Sequence, residues 1–111
     1  MVAQYVPGRG DLIWLQFSPQ TSHEQAGRRP AIVLSPQLYN TKVGLAICCS
    51  ITTQQKGYPF EVPLPESSGV DGVIPADQIK SLDWEKRQAQ LIGKVPEPAL
   101  NETLGKSHPL L

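Results

Sequence analysis

The sequence predicts an α+β domain dominated by β, with five to seven short strands in a strongly bent, antiparallel, partly closed barrel and one helix at the end. Three observations lead there. Eleven prolines, spread from Pro7 to Pro109, are about twice the usual share and forbid long helices over most of the chain. Apolar residues come in short branched runs closed by Pro, Gly or Ser, as expected of strands joined by tight loops. Helical spacing recurs only near the end, at Leu100 and Leu104. The 111 residues make one domain, 1–111, with neither a βαβ rhythm nor a glycine-rich phosphate loop.

The elements follow in order. After the turn Pro7-Gly8-Arg9-Gly10, residues Asp11 to Phe17 form a strand with apolar residues on both faces, hence a central one, with Trp14 in the core or in an interface between copies. The polar stretch Gln20 to Arg29 is a candidate functional loop. Pro30 to Leu34 is the second strand, and Ser35-Pro36 carries the N-cap and first-turn proline of a short helix through Tyr39-Asn40. Gly44 to Ile51 reads as a buried strand whose adjacent Cys48 and Cys49 point to opposite faces, so they are reduced core thiols rather than a disulfide. Thr52 to Gly57 is a loop of hydroxyls and amides. Phe60 to Leu64 alternates, giving a strand with one wet face that Pro63 places at an edge or bulge. Gly72 to Pro75 and Asp77 to Leu82 are one kinked strand or two short ones, and Gln90 to Val95 is the last. Glu97 to Lys106 is a helix with Gly105 as its cap, shortened by Pro98 and Pro109 to a frayed end.

Charge narrows the chemistry. Lys plus Arg and Asp plus Glu both number 10, so the chain is not globally basic. Between Gln25 and Phe60, however, there is no acid, while Arg28, Arg29, Lys42 and Lys56 fall inside, a locally positive field suited to an anion. His23 and His108 lie far apart without HExxH or a carboxylate cluster, which speaks against a metal site. No GxSxG elbow accompanies a nucleophile. The amino terminus lacks a basic region followed by an apolar one, and no stretch spans a membrane.

What remains is the loop His23 to Pro30, bent by Gly27 and stiffened by Pro30, together with the hydroxyls of Thr52 and Thr53. Glu24 offers a carboxylate and Arg29 a rigid five-donor fork, while His23 is either a proton carrier or a bystander. A solvated surface pair is the ordinary reading of such a loop. The functional one is phosphoryl chemistry on RNA, where the substrate supplies its own 2′-hydroxyl nucleophile.

The segments Gly10-Asp11-Leu12-Ile13-Trp14, Glu24 to Ser35, Thr52-Thr53-Gln54, Lys56 to Val62 and Ala76 to Ser81 resemble, in order and spacing, the signatures of the MazF/PemK family of toxin endoribonucleases. The resemblance runs from residue 5 to about residue 95. It implies an SH3-like barrel of the PemK/CcdB toxin kind and a cytoplasmic homodimer. It also implies cleavage of single-stranded RNA without metal or cofactor, leaving 2′,3′-cyclic phosphate and 5′-hydroxyl ends. The implied partner is a MazE-like antitoxin whose disordered acidic segment blocks the cleft.

By the same resemblance Arg29 and Thr52 are catalytic, and Glu24 is the acidic residue of the MazF branch. Glu24 would take the 2′-hydroxyl proton, Arg29 bind the scissile phosphate and Thr52 donate to a nonbridging oxygen. Arg28, Thr53, Gln54, Lys56, Gln78, Lys80, Lys86 and Arg87 are candidates for contacts along the RNA. The rivals are a CcdB-like gyrase poison without catalysis and an RNA-binding barrel that has lost it.

Overall fold

A computed structural model describes residues 4–17 and 27–111. Among the described residues seven strands appear in chain order: β1 (Asp11–Gln16), β2 (Arg28–Val33), β3 (Ala46–Ser50), β4 (Glu61–Pro63), β5 (Val73–Pro75), β6 (Ile79–Leu82) and β7 (Gln90–Lys94). Helix α1 (Gln37–Val43) joins β2 to β3, and α2 (Glu97–Ser107) follows β7. The mainly-β class stands. Five strands form one antiparallel sheet in the order β6-β3-β2-β1-β7, and β4 and β5 pair separately.

Both faces of the large sheet are covered because its strands are apolar on both sides. Leu12, Ile32 and Cys49 pack with Val62, Ile74, Ala99 and the helical Leu100 and Leu104 on one face. Ile13, Leu15, Ala31, Val33 and Cys48 pack with Trp84 on the other. The adjacent cysteines are therefore buried on opposite faces as free thiols, as their strand position requires. β1 lies inside the sheet between β2 and β7, as its doubly apolar pattern demands. β6 and β7 end the sheet without pairing to each other. The β4–β5 pair is tied to it by one bridge, in which Thr52 N–H donates to Val73 O at 3.1 Å and Val73 N–H to Thr52 O at 2.8 Å.

Four local expectations are corrected or narrowed. Ser35 does not cap α1; Pro36 occupies the N-cap, and the Ser35 hydroxyl donates to Asn40 Oδ1 and accepts from Ile47 N–H. Asn40, wholly buried, in turn donates to Pro7 O at 2.7 Å and accepts from Trp84 Nε1–H at 3.1 Å, binding α1 to the core. The helix therefore runs beyond Asn40 to Val43, where Gly44 closes it in the left-handed region. The C-terminal end is not frayed and Gly105 is no cap. Pro98 sits in the first turn of α2, where no N–H is needed, and buried Ser107 donates to Ala76 O at 2.7 Å before a 3₁₀ turn over His108–Leu110. Trp14, expected in the core or in an interface between copies, is 37% exposed on the single chain, which leaves the interface. Glu61, expected on the wet face of β4, is buried.

Candidate active site

The two arginines at the start of β2 part ways because successive strand side chains alternate. Arg28 turns toward β7, where its Nη2 donates to Gln88 O at 2.9 Å and Gln90 Oε1 at 3.1 Å. Gln88 holds a positive φ of 54°, which aims its carbonyl from the turn before β7. Arg29 lies on the opposite face, exposed, and its side chain makes no hydrogen bond or ion pair with any other described residue.

The antiparallel register sets Ala31 opposite Ser50, and Ile51 N–H donates to Pro30 O at 2.9 Å. One further step places Thr52 level with Arg29. Thr52 is half-buried, and its Oγ1 accepts from Gln54 N–H at 3.0 Å, which leaves the hydroxyl proton to donate elsewhere. An unpaired guanidinium and a hydroxyl donor thus stand side by side at the ends of adjacent strands.

The loop beyond Thr52 is shaped from beneath. The buried Glu61 carboxylate accepts from Lys56 N–H and Gly57 N–H, both at 2.8 Å, and Gly57 takes φ 78°, which favours glycine. Thr53, Gln54 and Lys56 are exposed along its rim. Tyr58 hydroxyl donates to Asp77 Oδ1 at 2.7 Å, tying the loop to the connection before β6; that bond and the neighbouring carboxylate push the phenol up to about 12. Gln78 lies in the same connection, exposed. Lys80 pairs with Cys48 across β6 and β3, so it shares Arg29's face of the sheet. Strand spacing puts the two backbones roughly 16 Å apart, within the span of a short extended strand of RNA.

The remaining candidates divide. Arg87 donates to Gln16 O at 2.9 Å and lies over the Phe17 ring at 5.6 Å, so with Arg28 it fastens the base of the segment between Phe17 and Gly27. Lys86 is exposed on the same turn, and Glu24 and His23 lie outside the described residues. Both cysteine thiols are pushed up to about 12 by burial, which removes them as nucleophiles. Among the described residues no cluster of His, Cys, Asp or Glu could hold a metal ion, and no helix is long and apolar enough to cross a membrane.

Sequence reasoning missed Glu61 and Gly72. A strand alternation puts Glu61 outward, and only the pairing of its carboxylate with two loop amides shows why it is buried. Gly72 was read only as the first residue of a strand, yet it sits against the Thr52 carbonyl.

A model of the PemK-like, MazF-like toxins of type II toxin–antitoxin systems matches residues 8–106. The chain is 50% identical over 111 residues to the endoribonuclease toxin MazF of Escherichia coli strain K12, covering 100% of this chain and 99% of that protein. It is 36% identical over 101 residues to the endoribonuclease toxin ChpB of the same strain, covering 86% of each. Crystallised MazF from Deinococcus radiodurans superposes with a TM-score of 0.85 at 51% identity, over 96% of this chain and 97% of that one. MazF in a MazE–MazF crystal from the same organism gives 0.87 at 49% identity, over 96% of each chain. With its mainly-β fold and matching signatures along nearly its whole length, the chain belongs to the PemK-like, MazF-like toxin family of type II toxin–antitoxin systems.

Proposed function

We propose that the chain is a cytoplasmic, homodimeric endoribonuclease toxin that cleaves single-stranded RNA at short sequences without a metal, arrests translation, and is neutralised by a MazE-like antitoxin. The full-length identity to endoribonuclease toxins supports the activity, and crystals of relatives bound to MazE support the antitoxin. The observation that carries the chemistry is the unpaired Arg29 set level with Thr52 by the β2–β3 register.

In this reading the RNA 2′-oxygen attacks the adjacent phosphorus and loses its proton to Glu24. Arg29 offers two N–H groups to the phosphate oxygens as negative charge grows on them, and Thr52 donates its hydroxyl to one of them. The bond to the 5′-oxygen then breaks, that oxygen takes up a proton, and a 2′,3′-cyclic phosphate and a 5′-hydroxyl remain. Lys80, Gln78, Lys56, Gln54 and Thr53 line the path of the strand, while Arg28 and Arg87 act through the loop base rather than on RNA. The acid-free stretch serves an acidic antitoxin segment for the same electrostatic reason.

Incubating the purified protein with a long RNA in EDTA, followed by end-group analysis, tests this directly. Fragments with cyclic phosphate ends are expected. Binding without fragments would assign the chain to a non-catalytic RNA-binding barrel, and neither binding nor fragments would leave the gyrase-poison reading.

A further inference from the structure

We infer that Gly72 is a positioning residue for the reaction: the absence of a side chain there lets β5 press against the Thr52 backbone and so fixes where the Thr52 hydroxyl points. The inference rests on Thr52 acting on the phosphate.

A β-carbon built on Gly72 would lie 2.5 Å from Thr52 O, 3.0 Å from Thr52 C and 3.1 Å from Ile51 Cγ2. The first two neighbours are main-chain atoms, which cannot swing aside as a flexible side chain would. Gly72 also holds φ 129°, a conformation that residues with a β-carbon rarely adopt. The close approach is what permits the reciprocal Thr52–Val73 bridge, the one backbone tie between the large sheet and the β4–β5 pair at this point. On its other side, Gly72 O accepts from Leu64 N–H at 3.1 Å, so the glycine cannot retreat without opening the pairing next to β4.

Thr52 lies just beyond β3, where a strand end would otherwise fray. Clamped by both of its backbone groups, it holds a fixed place opposite Arg29, and its hydroxyl is further set by the bond from Gln54 N–H. A donor held in place before the reaction stabilises growing charge without reorganising, and misplacing it forfeits most of that gain.

Gly69 supplies the control, since it lies in the same loop and has φ 76° but meets no atom within 4 Å at its β-carbon position. Alanine there also takes a positive φ, with less strain, and without touching Thr52. Single-turnover cleavage of a short RNA carrying one mapped cut site is measured for Thr52→Ala, Gly72→Ala, the double variant and Gly69→Ala, with far-UV dichroism confirming the fold. Thr52→Ala is expected to lose about 10²–10³ in rate and Gly72→Ala about 10², with KM changed little and the double variant no slower than Thr52→Ala alone. Gly69→Ala is expected within about twofold of the parent, because its side chain meets nothing.

Wild-type cleavage by folded Gly72→Ala overturns the inference, as do losses that multiply in the double variant. Wild-type cleavage by Thr52→Ala instead overturns the role of Thr52. Amide exchange on the unmodified protein covers the case in which Gly72→Ala does not fold. Thr52 and Val73 amides should be protected like those of the β2–β3 ladder while Thr53 and Gln55 exchange rapidly, and an unprotected Thr52 would also overturn the inference.

Discussion

Two regions flank the amino-terminal end of β2, and they are built differently. On the Thr52 side, the loop is held by backbone bonds and by one buried carboxylate: Glu61 takes the amides of Lys56 and Gly57, and Val73 takes both backbone groups of Thr52. On the other side, the base of the segment between Phe17 and Gly27 is held by cations, with Arg28 on Gln88 O and Gln90 Oε1 and Arg87 on Gln16 O and the Phe17 ring. The first arrangement spends no positive charge and leaves the cations near it free for an anion. The second commits its arginines to the protein, so the two neighbours Arg28 and Arg29 have opposite surroundings despite identical chemistry.

The sharpest way to break this contrast is to remove each arginine in turn. Arg29→Ala should lower RNA cleavage by about 10²–10³ and leave thermal stability near that of the parent, since no described group in the fold loses a partner. Arg28→Ala should do the reverse in kind, costing about 0.5–1.5 kcal/mol in urea unfolding with a smaller fall in rate. Equal effects from the two variants would erase the distinction.

Glu61→Ala tests the other support. Two loop amides lose a charged acceptor, and a loss of about 1.5–3 kcal/mol is expected together with weaker RNA binding, read as a raised KM. An unchanged KM would mean that the Thr53 to Lys56 rim holds its shape without the carboxylate. Arg87→Ala should cost about 1 kcal/mol, seen as a lower urea midpoint.

An effect that vanishes at neutral pH comes from the two buried thiols. Cys48 and Cys49 are pushed up to about 12 by burial, from an ordinary value of 9.0. Above pH 9 the unfolded chain releases these protons while the folded one keeps them. Stability is therefore fully present below pH 9 and falls as pH rises from there toward 12. Urea midpoints across that range should decline, and Cys48→Ala should flatten the decline. Native protein at neutral pH should resist alkylation.

Much of the fold was legible because its signals are local. The doubly apolar pattern of Asp11 to Phe17 fixes an interior strand whatever its neighbours, and adjacent cysteines in a strand must face opposite ways. The helix at Leu100 and Leu104 followed from spacing alone. The errors arose where a distant group changed the meaning of a residue. Ser35 reads as a cap until buried Asn40 claims its hydroxyl, and the ending around Pro109 reads as frayed until Ala76 accepts from Ser107. Glu61 reads as a wet-face residue until two amides turn it inward.

The sequence by itself determined the class of fold and the family, because periodicity, proline placement and the order of short motifs survive without coordinates. Tertiary structure alone decided that Arg28 and Arg29 diverge, that Thr52 stands level with Arg29, that Gly72 packs against the Thr52 carbonyl and that the Glu61 carboxylate takes two loop amides. Those facts depend on strand register and on backbone contacts between segments remote in the chain. A glycine or a glutamate looks the same in sequence whether it faces water or the main chain of a distant segment.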